Sequence, residues 1–344
     1  MVEQSNDFAL VIGVNDYPAY GVGGNDLEGA IDDAREFAAW LTDQDTGGGL
    51  PQSHCELVLS TPSPLRPEQG QVDDALDRLW QAADDVAQPR RFYFYFSGHG
   101  HAEQIDDVSL CMANWSFRRR QAALSSSEYR RLIHHCLRFQ EVVVFLDCCR
   151  LREYAAAGRG SELNCPRHDA TAGGSRHFIA YATEFQQAAF EGRTGERVRG
   201  HLTAALLEAV RGAAPLHPDG GVTAAELKAY LERRVPEMAD RNGQRQQVEV
   251  VSSLPTEPPA RFGARLPGVQ PAATANCRIR FSARRRGPIR LEAPTLQVLR
   301  EGAVDTAPWA LRLGIGYHRL ADLATGEEHF FVQRALDGVN DVHF

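Results

Sequence analysis

The chain has 344 residues, of which 43% are hydrophobic, and its formal net charge at pH 7 is −8. This length suggests two domains or one large one, and the negative charge argues against nucleic acid as the main partner. Seven cysteines without a Cys-x-x-Cys pair argue against a disulfide framework or zinc site and favour a reducing compartment. No signal-like start and no apolar run of membrane-spanning length is present, so a soluble cytoplasmic protein is expected.

Strand-like and helix-like segments alternate over roughly the first 250 residues. The apolar run at 8–14 predicts a strand, and apolar residues at helical spacing predict a helix at 26–42. This alternation predicts an α/β domain over residues 1–252, with a mainly parallel six-stranded sheet flanked by helices. The other predicted elements are strands at 56–59, 92–96, 142–146, 178–183 and 247–251, and helices at 72–82, 125–137, 201–211 and from 223 onward.

The composition changes after residue 252. Residues 253–275 are rich in proline and low in periodicity, which predicts an inter-domain linker. Residues 276–344 then predict a small antiparallel β domain, which carries no functional motif. Its strand-bearing segments are 277–281, 289–292, 296–299, 309–320 and 329–332.

Two residues of catalytic type follow predicted strands. His99 lies in Ser-Gly-His-Gly after the strand at 92–96, and Cys149 lies in Asp-Cys-Cys-Arg after the strand at 142–146. Because the carboxyl ends of parallel strands meet at one edge of a sheet, a thiol and an imidazole there can act as nucleophile and base. Alone, the cysteine pair is also explained as small buried hydrophobes and the histidine as a loop residue. Together, the two motifs favour an active site.

From about residue 7 to 252 the chain resembles clan CD cysteine proteases (peptidase family C14), in particular bacterial caspase homologues and metacaspases. Phe-Tyr-Phe-Ser-Gly-His-Gly and Phe-Leu-Asp-Cys-Cys-Arg are similar to that family's His and Cys motifs, and their separation of 50 residues matches the caspase spacing. The resemblance implies that Cys149 is the nucleophile and His99 the general base or acid. It also implies an oxyanion hole formed by the backbone N–H groups of Gly100 and Cys149. Arg150 departs from the metacaspase pattern, which usually has histidine there.

The resemblance further places Asp33, Ser97 and Asp147 in the S1 pocket. Carboxylates at the base of a pocket favour an arginine or lysine side chain, and arginine can pair in bidentate fashion. A pocket for aspartate would instead need basic residues. The plainer explanation of Asp33 is a solvated charge in the first turn of a helix. Protein substrates with Arg or Lys at P1 are therefore the expected partners.

An arginine-rich, irregular stretch at 150–176 follows the cysteine motif. In caspases the segment after the nucleophile is cut during maturation, so we hypothesise activation by cleavage after one of these arginines, with 191–199 as a second candidate region. Lys228 is the only lysine, so self-cleavage would occur at arginine. A solvated flexible loop is the alternative explanation. The candidate processing sites are Arg152, Arg159, Arg167 and Arg176.

Other chemistries find no support in the sequence. A Walker loop, a dinucleotide fingerprint and a tyrosine-phosphatase motif are absent, so no cofactor is expected. The acidic pair at 106–107 has no EF-hand spacing, which leaves calcium dependence open but unsupported. The sequence thus predicts a cysteine endopeptidase regulated as a zymogen, activated by itself, another protease or a regulator. Family analogy suggests bacterial antiviral immunity or cell death, and the alternative function is a catalytically silent interaction module.

Overall fold

The computed structural model divides into two compact units, Met1–Leu266 and Pro267–Phe344. Each unit is described by itself. The described residues are 6–22, 24–86, 88–135, 137, 139–152, 156–163, 176–194, 197–215, 221–256, 259–263, 276–282, 285, 287–293, 298–303, 308–311, 313, 316–334 and 340–344.

The first unit alternates strands and helices along the chain. Its helices are α1 (Ala30–Thr42), α2 (Gln69–Asp84), α3 (Ser126–His135), α4 (His201–Glu208) and α5 (Ala224–Arg241), with a 3₁₀ turn at Gln52–His54 and a π turn at Ala209–Ala213. Its strands are β1 (Asp7–Gly13), β2 (Cys55–Leu59), β3 (Thr61–Pro62), β4 (Leu65–Arg66), β5 (Arg91–Ser97), β6 (Gly100–Gln104), β7 (Asp107–Cys111), β8 (Ala123–Ser125), β9 (Glu141–Asp147), β10 (Arg176–Tyr181), β11 (Glu191–Thr194), β12 (Arg197–Gly200), β13 (Val222–Thr223), β14 (Glu249–Ser252) and β15 (Arg261–Phe262).

A six-stranded sheet forms the centre of this unit, in the order β14-β10-β9-β5-β1-β2. All neighbours run parallel except β10 and β14, which are antiparallel. Every residue of β1, β5 and β9 is buried, as expected for strands covered on both faces. The predicted six-stranded, mainly parallel sheet is confirmed.

The two faces of the sheet bury separate apolar clusters. Residues from α1, α4 and α5 pack on one face, together with the odd-numbered side chains of β5 such as Tyr93 and Tyr95. Residues from α2 and α3 pack on the other face, together with Phe94, Phe96 and Cys148. This alternation follows from the two-residue period of a strand. Side chains at the carboxyl ends of the strands therefore diverge toward opposite faces.

Several elements differ from the sequence prediction because long-range contacts decide them. The helix predicted at 26–42 begins only at Ala30, where Asn15 Oδ1 accepts the backbone N–H of Ile31 at 2.9 Å. A capping interaction with a residue far away in the chain leaves no local pattern. The small β6-β7-β8 sheet and the β11-β12 hairpin were not predicted, and both pair strands of only three to five residues.

The predicted linker at 253–275 differs in its first part. Leu254 and Phe262 are buried in the first unit's core, and β15 pairs with β13. The Phe262 ring lies 5.0 Å from the guanidinium carbon of the buried Arg91. A proline-rich composition therefore does not prevent this segment from packing as part of the first unit. Residues 264–275 lie outside the described part.

The second unit is a β structure with its own apolar core, centred on Ile289, Leu291 and Leu320. The predicted segment 309–320 divides into two strands, and the last strand was not predicted. The predicted antiparallel β structure is confirmed, and one strand pair, β16 with β22, is parallel. No helix in the described part of the chain is long and apolar enough to cross a membrane. The strands are β16 (Cys277–Arg280), β17 (Pro288–Glu292), β18 (Val298–Ala303), β19 (Trp309–Leu311), β20 (Gly316–Asp322), β21 (Glu328–Gln333) and β22 (Asn340–His343), in sheets β19-β16-β22 and β18-β17-β20-β21.

Candidate active site

The sheet register places His99 and Cys149 at equivalent positions beyond two neighbouring strands. Ser97, at the end of β5, pairs with Asp147 at the end of β9, and further along the chain His101 forms a parallel bridge with Leu151. Both pairs have the same offset of 50 residues as His99 and Cys149. The two segments therefore run side by side across the candidate site. The register brings the two backbone segments together, and the meeting of the thiol with the imidazole stays a prediction.

The backbone of the histidine segment lies very close to the cysteine segment at Gly100. A Cβ atom at this position would lie 2.6 Å from Cys148 Sγ and 2.8 Å from the carbonyl oxygen of Cys149. Real Cβ atoms do not approach that closely, so glycine is the residue that fits. Gly98 adds a hydrogen bond from its N–H to the carbonyl of Asp147 at 3.3 Å. A Cβ atom at Gly98 would lie 2.5 Å from the Tyr17 hydroxyl, so close approach explains the glycines on both sides of the histidine.

His99 is held by its backbone, its ring nitrogen and a stacked aromatic ring. Its backbone N–H donates to the hydroxyl of Tyr17 at 2.9 Å, and Nε2 lies 2.7 Å from the carbonyl oxygen of Asn25. Since a carbonyl can only accept, Nε2 carries the proton and Nδ1 keeps its lone pair. The Tyr20 ring stacks on the imidazole with centroids 4.4 Å apart. Burial lowers the pKa of His99 below its usual 6.5, so the ring is a neutral base near pH 7.

The Cys149 thiol is half-buried and contacts the main chain of Ala189. The Ala189 N–H donates to Sγ at 3.3 Å, and the thiol donates to the Ala189 carbonyl at 3.5 Å. Burial raises the pKa of Cys149, while the Ala189 N–H opposes that shift. The resting thiol is therefore protonated at neutral pH and needs a base. Cys148, by contrast, is 3% exposed and belongs to the apolar core, which favours Cys149 as the reactive member of the pair.

Asp33 and Asp147 lie buried beside each other, on the α1/α4 face of the sheet. Asp33 Oδ2 accepts the backbone N–H of Gly200 at 2.8 Å, and Asp147 Oδ2 accepts the Thr203 N–H and hydroxyl at 2.8 and 2.7 Å. Burial, followed by the Asp147 carboxylate, raises the pKa of Asp33 to about 8. Burial also raises the pKa of Asp147. Asp33 Oδ1 has no hydrogen-bond partner in the described part of the chain.

The other charged groups near this carboxylate pair act on the pKa of Asp33 in opposite directions. Glu191 accepts the backbone N–H of Gly29 at 2.9 Å and is a further cause that raises the pKa of Asp33. Arg199 lowers that pKa, but its guanidinium is bound to Glu36. Ser97 is 4% exposed and pairs in the sheet with Asp147, and on the same face the Tyr95 hydroxyl bonds to that of Thr203 at 2.6 Å. The three residues predicted to form a pocket are thus brought to one region.

Arg150, the departure from the metacaspase pattern, is buried directly behind Cys149. Its guanidinium bonds to Glu249 and to the carbonyl oxygens of Thr183 and Ile105, and lies 4.0 Å from the centre of the Tyr181 ring. Its side chain is 1% exposed. A charge this deep needs several partners, and here they come from β10, β14 and the β6-β7 turn. Arg150 therefore ties the cysteine segment to its surroundings.

The predicted processing sites differ in their backbone environment. Arg159 is held by hydrogen bonds to Ala123 and Ser125, and Arg176 begins β10. Proteases take extended, unpaired backbone, so Arg152, which is exposed in a bend, fits a processing site better. Arg167 lies outside the described residues. The part of the 150–176 stretch at 156–163 is anchored rather than loose, since Asp73 accepts from the Ser161 hydroxyl and the Glu162 N–H.

No group of three metal-ligating side chains occurs among the described residues. The Asp107 carboxylate accepts from the Ser125 hydroxyl and the Ser127 N–H, at 2.9 and 3.0 Å. It therefore stabilises the start of α3. This structural role accounts for one of the two acidic residues considered for calcium.

Sequence reasoning missed four contributors to the site. Tyr17, Asn25 and Ala189 act through a hydroxyl or a main-chain atom at a distance in the chain, and Tyr20 acts by stacking. Main-chain acceptors carry no residue-type signal, so no motif could have found Asn25 or Ala189. The tyrosines follow β1, a position from which a sheet-edge contact is expected.

Comparison with known proteins identifies the family of the first unit. The family profile for the caspase domain of C14 peptidases matches residues 6–258. One solved structure to which the chain is similar, protein GSU0716 from Geobacter sulfurreducens, is 16% identical, with 74% of this chain and 97% of that chain covered and a TM-score of 0.47. No curated protein matches the chain. With its match over most of the first unit, the chain belongs to the caspase family of C14 cysteine peptidases.

Proposed function

We propose that this protein is a cysteine endopeptidase that cleaves protein substrates after basic residues, arginine in preference to lysine. The observation that carries the proposal is the buried Asp33–Asp147 pair beside the His99 and Cys149 segments. One Asp33 oxygen has no hydrogen-bond partner in the described part of the chain. Two buried carboxyl groups are costly unless a cation joins them. A P1 guanidinium supplies that cation and matches carboxylate geometry.

The mechanism follows from the protonation states of the dyad. His99 Nδ1 takes the thiol proton as Cys149 Sγ attacks the scissile carbonyl carbon, and the N–H groups of Gly100 and Cys149 accommodate the developing oxyanion. The C–N bond then breaks and the imidazolium returns the proton to the leaving amine, leaving a thioester. Water, deprotonated by His99, attacks the thioester, and the carboxylic acid product leaves as the thiol is restored.

Peptide cleavage tests this proposal directly. Fluorogenic peptides with Arg, Lys or Asp at P1 are offered to the purified chain, with and without calcium. The Cys149→Ala variant tests the nucleophile, and Cys148→Ala is the matched control. Arginine cleavage that disappears in the first variant and persists in the second is the expected result. Aspartate cleavage would contradict the pocket while keeping the dyad.

Regulation as a zymogen is part of the proposal. The protonated, half-buried thiol and the exposed Arg152 support a latent form that is matured by cutting the segment after Cys149. Intact mass before and after activation measures this, and activity without any cut would contradict it. A role in bacterial antiviral defence or cell death rests on family analogy. The second candidate, a catalytically silent interaction module, predicts no cleavage even after limited proteolysis near Arg152.

A further inference from the structure

The Tyr20 ring begins an aromatic surface beside the candidate active site. Tyr20 stacks on His99, lies 4.5 Å from the Trp115 ring centre and 6.0 Å from that of Phe117. Its hydroxyl is 3.0 Å from His101 Nε2, and Trp115 is 1% exposed. The contacts with Trp115 and His101 therefore fix the orientation of the Tyr20 ring. Phe117 completes it with a side chain that is 40% exposed.

Three consecutive arginines extend from this surface. Arg118, Arg119 and Arg120 are all exposed, in a turn closed by the Arg119 N–H donating to the Ser116 carbonyl at 2.9 Å. None of the three forms an ion pair with a carboxylate of the described residues. In a chain of net charge −8, this "basic turn" (Arg118–Arg120) is a local concentration of positive charge. Arg120 is also a minor cause of the lowered pKa of the buried His101, after burial and the His99 ring.

The aromatic surface and the carboxylate pair are associated with opposite faces of the central sheet. Asp33 and Asp147 lie on the α1/α4 face, whereas Tyr20 and Trp115 pack with the α2/α3 face. If P1 occupies the carboxylate pocket, the chain passes the dyad toward the aromatic surface. The residue after the scissile bond leaves as the amine that His99 protonates, so it lies beside the imidazole and its stacked tyrosine.

We propose that Tyr20, Phe117 and the basic turn form a subsite for acidic residues on the leaving-group side of the substrate. This inference rests on the proposed function and adds a second determinant of specificity to it. The successive centroid distances of 4.4 and 6.0 Å place the Phe117 ring at most about 10 Å from the His99 imidazole, which is within roughly three extended residues at about 3.3 Å each. We assign the acidic positions to the second and third residues after the cleaved bond. The substrate is an arginine followed, after one residue, by glutamate or aspartate.

Quenched peptides that differ only after the scissile bond test the subsite. All carry arginine at P1, and the second and third residues beyond the bond are Glu-Glu, Ala-Ala or Lys-Lys. At low salt, kcat/KM for the Glu-Glu peptide is expected to exceed that for Lys-Lys by about tenfold, since each exposed ion pair contributes modestly. The preference falls toward unity in about 0.5 M salt because exposed charges are screened.

Variants assign the preference to the turn. Arg118→Gln, Arg119→Gln and Arg120→Gln together are expected to abolish the preference for the Glu-Glu peptide over the Lys-Lys peptide, and Arg119→Glu alone lowers it. The matched control is Arg233→Gln on α5, an arginine whose side chain is 56% exposed, which keeps the preference. A wild-type protein that cleaves all three peptides equally overturns the proposal. So does a preference that survives the triple substitution.

Failure of the subsite is distinguishable from failure of the proposed function. If the wild-type chain cleaves no arginine peptide even after limited proteolysis near Arg152, the proposed function is wrong, and the subsite is then tested by fluorescence anisotropy of the same peptides. Tighter binding of the Glu-Glu peptide that the triple variant loses supports the subsite. Equal binding of the Glu-Glu and Lys-Lys peptides overturns it.

Discussion

Replacing Asp33 by asparagine should stabilise the protein while it weakens arginine cleavage. In the folded chain, burial and Asp147 raise the pKa of Asp33 to about 8, whereas an unfolded aspartate ionises near 3.9. The folded-state pKa is the higher one, so this group's stability contribution is complete below about pH 4 and is lost as the pH rises through 8. At pH 7 the difference amounts to on the order of 4 kcal/mol. Asparagine keeps the shape and has no proton to take up.

Urea unfolding at several pH values measures this effect. Asp33→Asn is expected to be more stable than the wild type by up to about 4 kcal/mol at pH 7, and nearly equal to it near pH 4. The control is Asp32→Asn, the next residue along α1, whose side chain is 58% exposed and pairs with Arg35. That substitution should change stability little at any pH. An Asp33→Asn protein no more stable than the wild type at pH 7 would refute the reasoning.

The same substitution changes the pH dependence of cleavage. A P1 guanidinium binds the ionised form of Asp33, so wild-type kcat/KM for arginine peptides should rise with pH as the carboxyl loses its proton near pH 8. Asp33→Asn should flatten this rise and lower kcat/KM by on the order of 100-fold, the value of a charge-assisted hydrogen bond. Unchanged arginine cleavage in the variant would show that Asp33 lies outside the P1 site.

Two further substitutions probe the cysteine segment. Gly100→Ala places a Cβ 2.8 Å from the Cys149 carbonyl oxygen and should lower kcat by at least about 100-fold, measured on folded protein. Its control is Gly70→Ala, a helical glycine with open space around it, which should leave kcat unchanged. Arg150→Lys keeps a positive charge opposite Glu249, but an ammonium group cannot also bond to both carbonyl oxygens and stack on the Tyr181 ring. Urea unfolding should therefore show that the free energy of unfolding falls by about 3 kcal/mol. Equal stability of this variant and the wild type would mean that the Arg150 contacts do not stabilise the cysteine segment.

The sequence could predict the site residues that directly follow apolar strands with a clear sequence pattern. His99 and Cys149 each follow a short apolar run rich in β-formers, and such runs fix both the strand and the edge at which it ends. The two residues' equal offset from the paired strand ends then follows from parallel register. The carboxylates were reached only through family resemblance, since nothing local to Asp33 distinguishes a pocket from a solvated helix turn.

The rest depended on contacts between distant parts of the chain. Asn25 and Ala189 contribute main-chain atoms, and any residue type could supply them. Phe262 packs against Arg91, so the first part of the proline-rich segment belongs to the core of the first unit, although the composition of the segment is typical of a linker. The start of α1 was fixed by Asn15, a residue outside the helix. In each case the deciding partner lies too far away in sequence for a local pattern to reveal it.

The contact between Cys149 and the Ala189 main chain has a consequence for the lifetime of the enzyme in a cell. Peroxides and soft electrophiles react with thiolates, and a half-buried thiol with a raised pKa offers them little thiolate at neutral pH. Untargeted alkylating reagents should therefore label Cys149 slowly. An electrophile carried by an arginine-containing peptide, held in place by the carboxylates, should label it fast. Under the proposed function, the raised pKa would protect the nucleophile from oxidation until a substrate binds.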